Sequence, residues 1–363
     1  MSSPRSLRAA ATTAAVAAIV IAALSGCSTA PRPASTVSPD GAALAIVPET
    51  YVNDAFRRDD VDSLAVWPAR SWLIATAKAT DRLLVFDAAT GELRDTVTLP
   101  GGSAFDRPNG IAVHGDRLFV VERDNHRVSV LALPDHTPLA TFGADVLIKP
   151  YGIALLETAP DRLEVYVTDD FALASAAGST RTATLSERVR VFTVSFANGA
   201  VEARHARSFG AGEGAGVLHV VESVAVDPSA DVVVLADEIE PETFLKVYER
   251  SGGFTGSVVG EGLFTAQAEG IALFTCGAGG YWVTTDQDKR RTRFLLFDRH
   301  DFSFKGAFSG ERTANTDGIT VVDAPTGPFA EGAIFAVHDD RGVSAFDWKA
   351  VREALKLECL PGA

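Results

Sequence analysis

Most of this chain is written as short apolar runs cut off by Gly, Asp, Asn or Pro, the pattern of antiparallel β-meanders. Six runs open on one motif: a polar residue, Gly or Ser, a β-branched residue or Leu, then a small residue. The copies are Asp62-Ser63-Leu64-Ala65, Asn109-Gly110-Ile111-Ala112, Tyr151-Gly152-Ile153-Ala154, Glu222-Ser223-Val224-Ala225, Glu269-Gly270-Ile271-Ala272 and Asp317-Gly318-Ile319-Thr320. Further apolar strands follow each copy, such as Trp72-Leu73-Ile74-Ala75-Thr76 and Arg82-Leu83-Leu84-Val85-Phe86 after the first. Self-similarity at a period of ~40–50 residues marks a propeller with one blade per copy. The pattern predicts an all-β fold, a six-bladed β-propeller with four-stranded antiparallel blades. Residues 45–56 are expected to close the ring as an outer strand of the last blade, leaving no bare edge. Only residues 348–357 carry a helical pattern, expected as a short C-terminal helix on the outside. The interval from Tyr151 to Glu222 is longer than the others, and residues 172–186 and 210–216 read as insertion loops.

The N-terminal residues follow other rules. Arg5 and Arg8 precede an apolar, alanine-rich run over residues 9–24, and Leu24-Ser25-Gly26-Cys27 resembles the bacterial lipobox. Residues 1–27 therefore read as a lipoprotein signal peptide with Cys27 as the lipidation site. The run is short for a membrane span, which needs ~20 residues. Residues 28–45, rich in Ser, Thr, Pro and Ala, read as a flexible linker, and residues 46–363 as the propeller. The expectation is an exported bacterial lipoprotein on the outer face of the cell membrane or envelope, monomeric, and touching the membrane only through its lipid. The net charge of −14 argues against nucleic acid as a partner. Cys276 and Cys359 remain as a candidate disulfide pair, and no Cys-His spacing suggests zinc.

Equivalent positions in different blades surround one axis, so the first motif residues predict a ring of oxygen-bearing side chains. The ends of the second strands add Lys78, Arg123, Asp170, Glu238, Asp286 or Gln287, and Asp339. One channel mouth would then carry Asp62, Glu222, Glu238, Glu269, Asp317 and Asp339, with Lys78 and Arg123 beside them. Carboxylate oxygens are the ligands Ca²⁺ prefers, while Lys and Arg suit phosphate. A lone Asp at a blade turn is ordinarily a turn former. Turns do not, however, require Glu222 and Glu269 in register at strand starts.

These residues resemble the β-propeller phytases, calcium-dependent phosphatases of inositol phosphates, over nearly all of the chain after the linker. The resemblance is carried by Glu269-Gly270-Ile271-Ala272-Leu273-Phe274 with Gly280-Tyr281-Trp282-Val283, by Thr316-Asp317-Gly318-Ile319, and by Asp62-Ser63-Leu64-Ala65-Val66-Trp67 followed by Lys78. It implies several Ca²⁺ ions on Asp62, Glu222, Glu238, Glu269 and Asp317, with Asp59 and Glu311 as further acidic ligands. It also implies contact of Lys78, Arg123 and Tyr151 with substrate phosphate. Catalysis would centre on Asp62, Glu222 and Asp317, a calcium-bridged water attacking phytate or a related small phosphoester directly. Two departures bear on the substrate: Ser63-Leu64 replaces an Asp-Pro pair, and Asp170 stands where that family has a lysine. Two other functions stay open. Arg107-Pro108-Asn109-Gly110-Ile111-Ala112-Val113 with Asn125-His126-Arg127-Val128 looks like an NHL-type repeat, as in non-catalytic binding propellers. Metal-dependent lactonases and esterases on similar rings hold one axial cation and need neither Lys78 nor Arg123.

Overall fold

The computed structural model describes residues 41, 44–172, 184–197, 199–240 and 243–359. The expected signal peptide, Cys27 and residues 28–40 of the expected linker lie outside the described residues, as do residues 173–183 of the first insertion.

Two short strands, β1 (Ala45–Ile46) and β2 (Tyr51–Asn53), precede the blades. Blade one is β3 (Val61–Trp67), β4 (Trp72–Ala77), β5 (Arg82–Asp87) and β6 (Leu93–Val97). Blade two is β7 (Pro108–His114), β8 (Arg117–Glu122), β9 (Arg127–Ala132) and β10 (Thr137–Phe142). Blade three is β11 (Pro150–Ala159), β12 (Arg162–Asp169), β13 (Val189–Ala197) and β14 (Ala200–Phe209). Blade four is β15 (Val221–Asp227), β16 (Val232–Asp237), β17 (Phe244–Tyr248) and β18 (Phe254–Val259). Blade five is β19 (Ala268–Cys276), β20 (Gly279–Asp286), β21 (Arg293–Asp298) and β22 (Phe304–Ser309). Blade six has β23 (Ile319–Val322), β24 (Ala333–His338) and β25 (Gly342–Asp347), with β2 as its antiparallel outer strand. The chain is thus a six-bladed propeller of antiparallel sheets, closed by its own N-terminal segment.

That segment does more than the sequence pattern suggested. The expectation put residues 45–56 on the last blade alone. Instead β1 runs parallel to β22 on the rim of blade five, and only β2 joins blade six. Backbone bonds from Val47 to Ser309 (2.9 Å) and from Thr50 to Ala345 (2.7 Å) fix the crossing between the two edges. One extended peptide therefore caps two exposed edges, which a single strand on blade six could not.

Six apolar clusters fill the spaces between adjacent blades. One joins blades one and two through Trp67, Ile74, Ile111 and Leu118, and another joins five and six through Phe274, Val283, Ile334 and Phe346. Middle strands such as β20 are buried along their whole length because both sheet faces meet a neighbour. Their apolar runs are therefore continuous instead of alternating. The helix α1 (Trp348–Leu355) starts on Asp347, whose side chain accepts from Lys349 N, and ends at Lys356 in the left-handed region. Trp348 stacks on Phe274 with ring centroids 3.7 Å apart. A disulfide between Cys276 and Cys359 then ties the tail to the inner strand of blade five.

An ion pair recurs within the blades. The last residue of the second strand is a buried acid, bonded to a base within the first three residues of the third. The pairs are Glu122–Arg127 (2.9 Å), Asp169–Arg190 (3.2 Å), Asp237–Lys246 (2.5 Å) and Asp286–Arg293. Asp169, Asp237 and Asp286 also accept backbone N–H groups from the segment entering the inner strand, at Ile148–Lys149, His219–Val220 and Thr265–Ala266 respectively. Each such carboxylate is consumed in holding its blade together. In blade one the acid comes from the entering segment itself: Asp59 accepts from Thr80 Oγ1 (2.6 Å) and Arg82 Nε (2.7 Å).

Candidate metal centre

The recurring motif has a mechanical cause. Pairing of β3 with β4 jumps from Val61–Ala77 to Leu64–Ala75, so Asp62 and Ser63 together face the single residue Thr76. The same bulge occurs at 108/111, 150/153, 221/224 and 268/271. An extra residue bends the strand and re-aims its side chain, a device common beside functional sites. The second motif position is pressed against the next blade. A Cβ on Gly318 would lie 2.5 Å from the Asp62 carbonyl oxygen, and one on Gly270 2.5 Å from that of Asp317. Gly270 N and Gly318 N donate to those same carbonyls at 2.8 and 2.9 Å. Glycine thus permits this close approach in blades two, three, five and six, Ser63 and Ser223 standing there in blades one and four, and the residue before it is delivered to the mouth.

Glu222 and Glu269 enter from the bulges of blades four and five, and Glu238 from the residue after β16. One carboxylate oxygen from each lies within 4.8 Å of the others. Donors sharing one Ca²⁺ at 2.3–2.6 Å cannot be more than ~5 Å apart, so this spacing suits a single ion. Glu238 and Glu269 are buried, and Glu238 Oε1 has no hydrogen-bond partner. Asn109, fully buried in the equivalent bulge of blade two, leaves both its amide oxygen and nitrogen unpartnered. Unbonded oxygens at a buried site are costly in an ion-free protein and are what a hard cation satisfies.

Charge at this mouth is out of balance. Lys78 Nζ, largely buried, bonds to Asp62 (2.8 Å) and Asp317 (3.4 Å) and lies 3.6 Å from Asp60. The Tyr151 hydroxyl reaches across to Asp62 Oδ1 at 3.4 Å, and Gln287 Nε2 donates to Asp317. Ser63 Oγ donates to Asp62 Oδ2 at 2.8 Å. Among the described residues, no Lys or Arg side chain bonds the Glu222–Glu238–Glu269 group. Burial, then repulsion from Asp62 and Asp170, raises the Glu222 carboxyl to about 7. Burial followed by the neighbouring carboxylates pushes Glu238, Glu269 and Asp317 well above the ordinary range. Without a cation these groups bind protons more tightly than ordinary carboxyls do, and an arriving ion would compete with those protons.

The mouth therefore gathers Asp62, Glu222, Glu238, Glu269, Asp317, Lys78 and Tyr151 from the expected set. Three predicted ligands fall elsewhere. Asp59 is the blade-one partner of Arg82. Glu311 is exposed in a loop whose backbone N–H groups, from 311 to 313, are held by the Glu49 carboxylate. Asp339 turns away in a left-handed conformation and pairs with Arg341 at 2.9 Å. Its neighbour Asp340 faces the site in its place. Asn315 donates to both Asp340 oxygens, and burial, partly offset by Lys78, lifts its carboxyl to about 6. Arg123 pairs with Asp124 at 2.7 Å, although its charge is felt alongside Tyr151 and Glu222. Asp170, where a lysine was expected, is bonded by Lys149 at 2.8 Å, so a basic group is present from the preceding loop. Of Asp286 and Gln287, Gln287 belongs to the site and Asp286 to the blade's ion pair. The residue after the paired acid is the one that reaches the mouth, a parity signal present in the sequence.

Below the carboxylates the channel narrows to about 70 Å³ between the Gly, Ser and β-branched residues of the six motifs. It then opens at the far mouth into a funnel of about 610 Å³ lined by Leu64, Val66, Ile111, Val113, Ile153 and Val321, among others. Among the described residues that line the funnel, Asp323 is the one carboxylate, and it is bonded to Thr275.

The NHL repeat family matches residues 105–131, within blade two and its approach. No curated protein sequence matches the chain. Solved structures do. A calcium-binding protein, regucalcin, from Agrobacterium tumefaciens is 11% identical over 83% of this chain and 95% of its own, with a TM-score of 0.51. A putative gluconolactonase is 16% identical over 86% and 94%, with a TM-score of 0.51. Hydrazine synthase of Kuenenia stuttgartiensis is 12% identical over 85% and 82%, with a TM-score of 0.50. At these identities they establish the propeller fold. The specific likeness to phytases has no support among them.

Proposed function

We propose that this chain is a divalent-cation-dependent hydrolase of a carboxylic ester or lactone, with calcium as its ion. The main support is the convergence of Glu222, Glu238 and Glu269 with an unpartnered Glu238 oxygen. These three would hold the ion, which when bound would polarise a substrate carbonyl and acidify water. Asn109, with a free donor and acceptor, is suited to orienting the substrate. The Tyr151 hydroxyl, kept protonated by burial and then by Asp62 and Glu222, is a donor at the same mouth. That the calcium-binding regucalcin and the putative gluconolactonase share the fold is consistent with this chemistry.

A phosphoester is less well served. Lys78 is committed to Asp62 and Asp317, Arg123 to Asp124, and Lys149 to Asp170. A polyphosphorylated substrate would have to break these pairs before gaining its own, and would bring more negative charge to an acidic mouth. The deciding experiment uses protein lacking residues 1–27. Added Ca²⁺ should give turnover of lactones or aryl acetates, and a chelator should abolish it. Calcium-dependent release of phosphate from phytate, without ester turnover, would restore the phosphatase assignment. A calcium-raised melting temperature with no turnover of either class would leave a binding module of the NHL kind. The proposal includes a monomer held at the cell envelope through Cys27. Loss of palmitate labelling in Cys27→Ser is the expected result, and unchanged labelling would refute the anchor.

A further inference from the structure

We propose that a cleft between blades three and four receives an apolar part of the substrate, an acyl chain of several carbons; this rests on the hydrolase assignment above. The cleft is open to solvent and holds about 560 Å³, within the usual range for small-ligand pockets, and Ile148, Phe171 and Val220 line it with Lys149, Asp170, Arg188 and His219. It is built onto the carboxylate group itself. Glu238 N donates to Val220 O at 2.9 Å, and Val221 N, just before Glu222, donates to Asp170 Oδ1 at 3.2 Å. One wall of the cleft is therefore the backbone that positions two of the three glutamates.

The charged residues here do not make the cleft polar. Lys149 Nζ is bonded to Asp170 Oδ2 at 2.8 Å. Arg188 donates to the carbonyls of Leu218 (3.0 Å), Phe171 (2.6 Å) and His219 (2.7 Å), and its guanidinium lies 4.6 Å above the Phe171 ring. With the heads of Lys149 and Arg188 satisfied, the cleft offers Ile148, Val220 and the hydrocarbon stem of Lys149, beside the exposed imidazole of His219. A charged substituent reaching Lys149, Asp170 or Arg188 would have to break one of these pairings. A hydrocarbon chain would only displace water, gaining up to about fourfold in affinity per methylene.

The test compares 4-nitrophenyl acetate with 4-nitrophenyl hexanoate on the intact protein in saturating Ca²⁺. Wild type should prefer hexanoate at least tenfold in kcat/KM. Val220→Phe, which fills the cleft, should cut that preference at least fivefold while keeping the calcium-induced rise in melting temperature. If that variant does not fold, Ile148→Phe narrows the same space. Equal kcat/KM for the two esters in wild type, or an unaltered ratio in the folded variant, would overturn the cleft assignment. If neither ester is turned over, the hydrolase assignment fails, and binding of hexanamide by calorimetry judges the cleft separately. Hexanamide binding that is lost in the variant supports the cleft, and no binding to wild type refutes it.

Discussion

Glu222→Gln should make the cation-free protein more stable and the calcium-loaded protein less so. Glu222 shares its mouth with Glu238, Glu269, Asp62 and Asp317, and burial is the first cause of its carboxyl rising to about 7 from an ordinary 4.5. A raised carboxyl binds its proton more tightly in the folded chain than in the unfolded one. Its contribution to stability is therefore complete below about pH 4.5 and is lost as pH climbs through about 7. At 1.36 kcal/mol per pKa unit the loss is at most about 3 kcal/mol, an upper bound because the side chain is partly open to solvent. Gln keeps the shape without the charge. In a chelator at about pH 8 the variant should melt roughly 5 °C above wild type for a chain of this length. At about pH 4.5 the two should melt together. Calcium should reverse the order at pH 8: at a thousandfold excess over Kd, wild type gains about 4.1 kcal/mol, more than its deficit in chelator, while the variant has lost a ligand. Scanning calorimetry at both pH values, with chelator or Ca²⁺, checks all four conditions. A variant less stable than wild type in chelator at pH 8 would refute the crowded-carboxylate picture.

Other perturbations separate site from scaffold. Gly152→Ala drives a Cβ into the Glu222 carbonyl. It should cost about 1–3 kcal/mol in chemical denaturation and weaken calcium binding in titration calorimetry. Asp286→Asn leaves Arg293 buried without its charge partner and should cost about 3–5 kcal/mol. The calcium-induced rise in its melting temperature should match wild type, since Asp286 holds a blade and not the ion. Cys276→Ser opens a bond joining residues 83 apart, worth about 4.5 kcal/mol in the chain-entropy treatment. Its melting temperature should fall, and reductant should lower wild type to the same value.

The period of the motif was enough to predict six blades, because every blade must solve the same packing problem against its neighbours. The motif's first residue was legible as a site residue for a similar reason. The bulge at Asp62-Ser63 and its counterparts repeats, so one geometry presents Asp62, Asn109, Tyr151, Glu222 and Glu269 alike. Asn109 carries no charge, and its importance shows only once burial leaves its amide without partners.

Consecutive or nearby acids are where sequence stops and tertiary structure decides. Asp286 and Gln287, Asp339 and Asp340, and Asp59 near Asp62 differ in role by which way the chain turns and which base lies opposite. Arg293 claims Asp286 and Arg82 claims Asp59, while a left-handed turn sends Asp339 to Arg341 and leaves Asp340 beside Lys78. By itself the sequence determined the propeller, its six blades and the residues that head each inner strand, because these follow from local periodicity. Only the closed ring decided that, of the six carboxylates expected at one mouth, Glu222, Glu238 and Glu269 come within reach of a single ion, and that the nearby bases are already paired. Those facts depend on distances between side chains from different strands and blades, which no local pattern encodes.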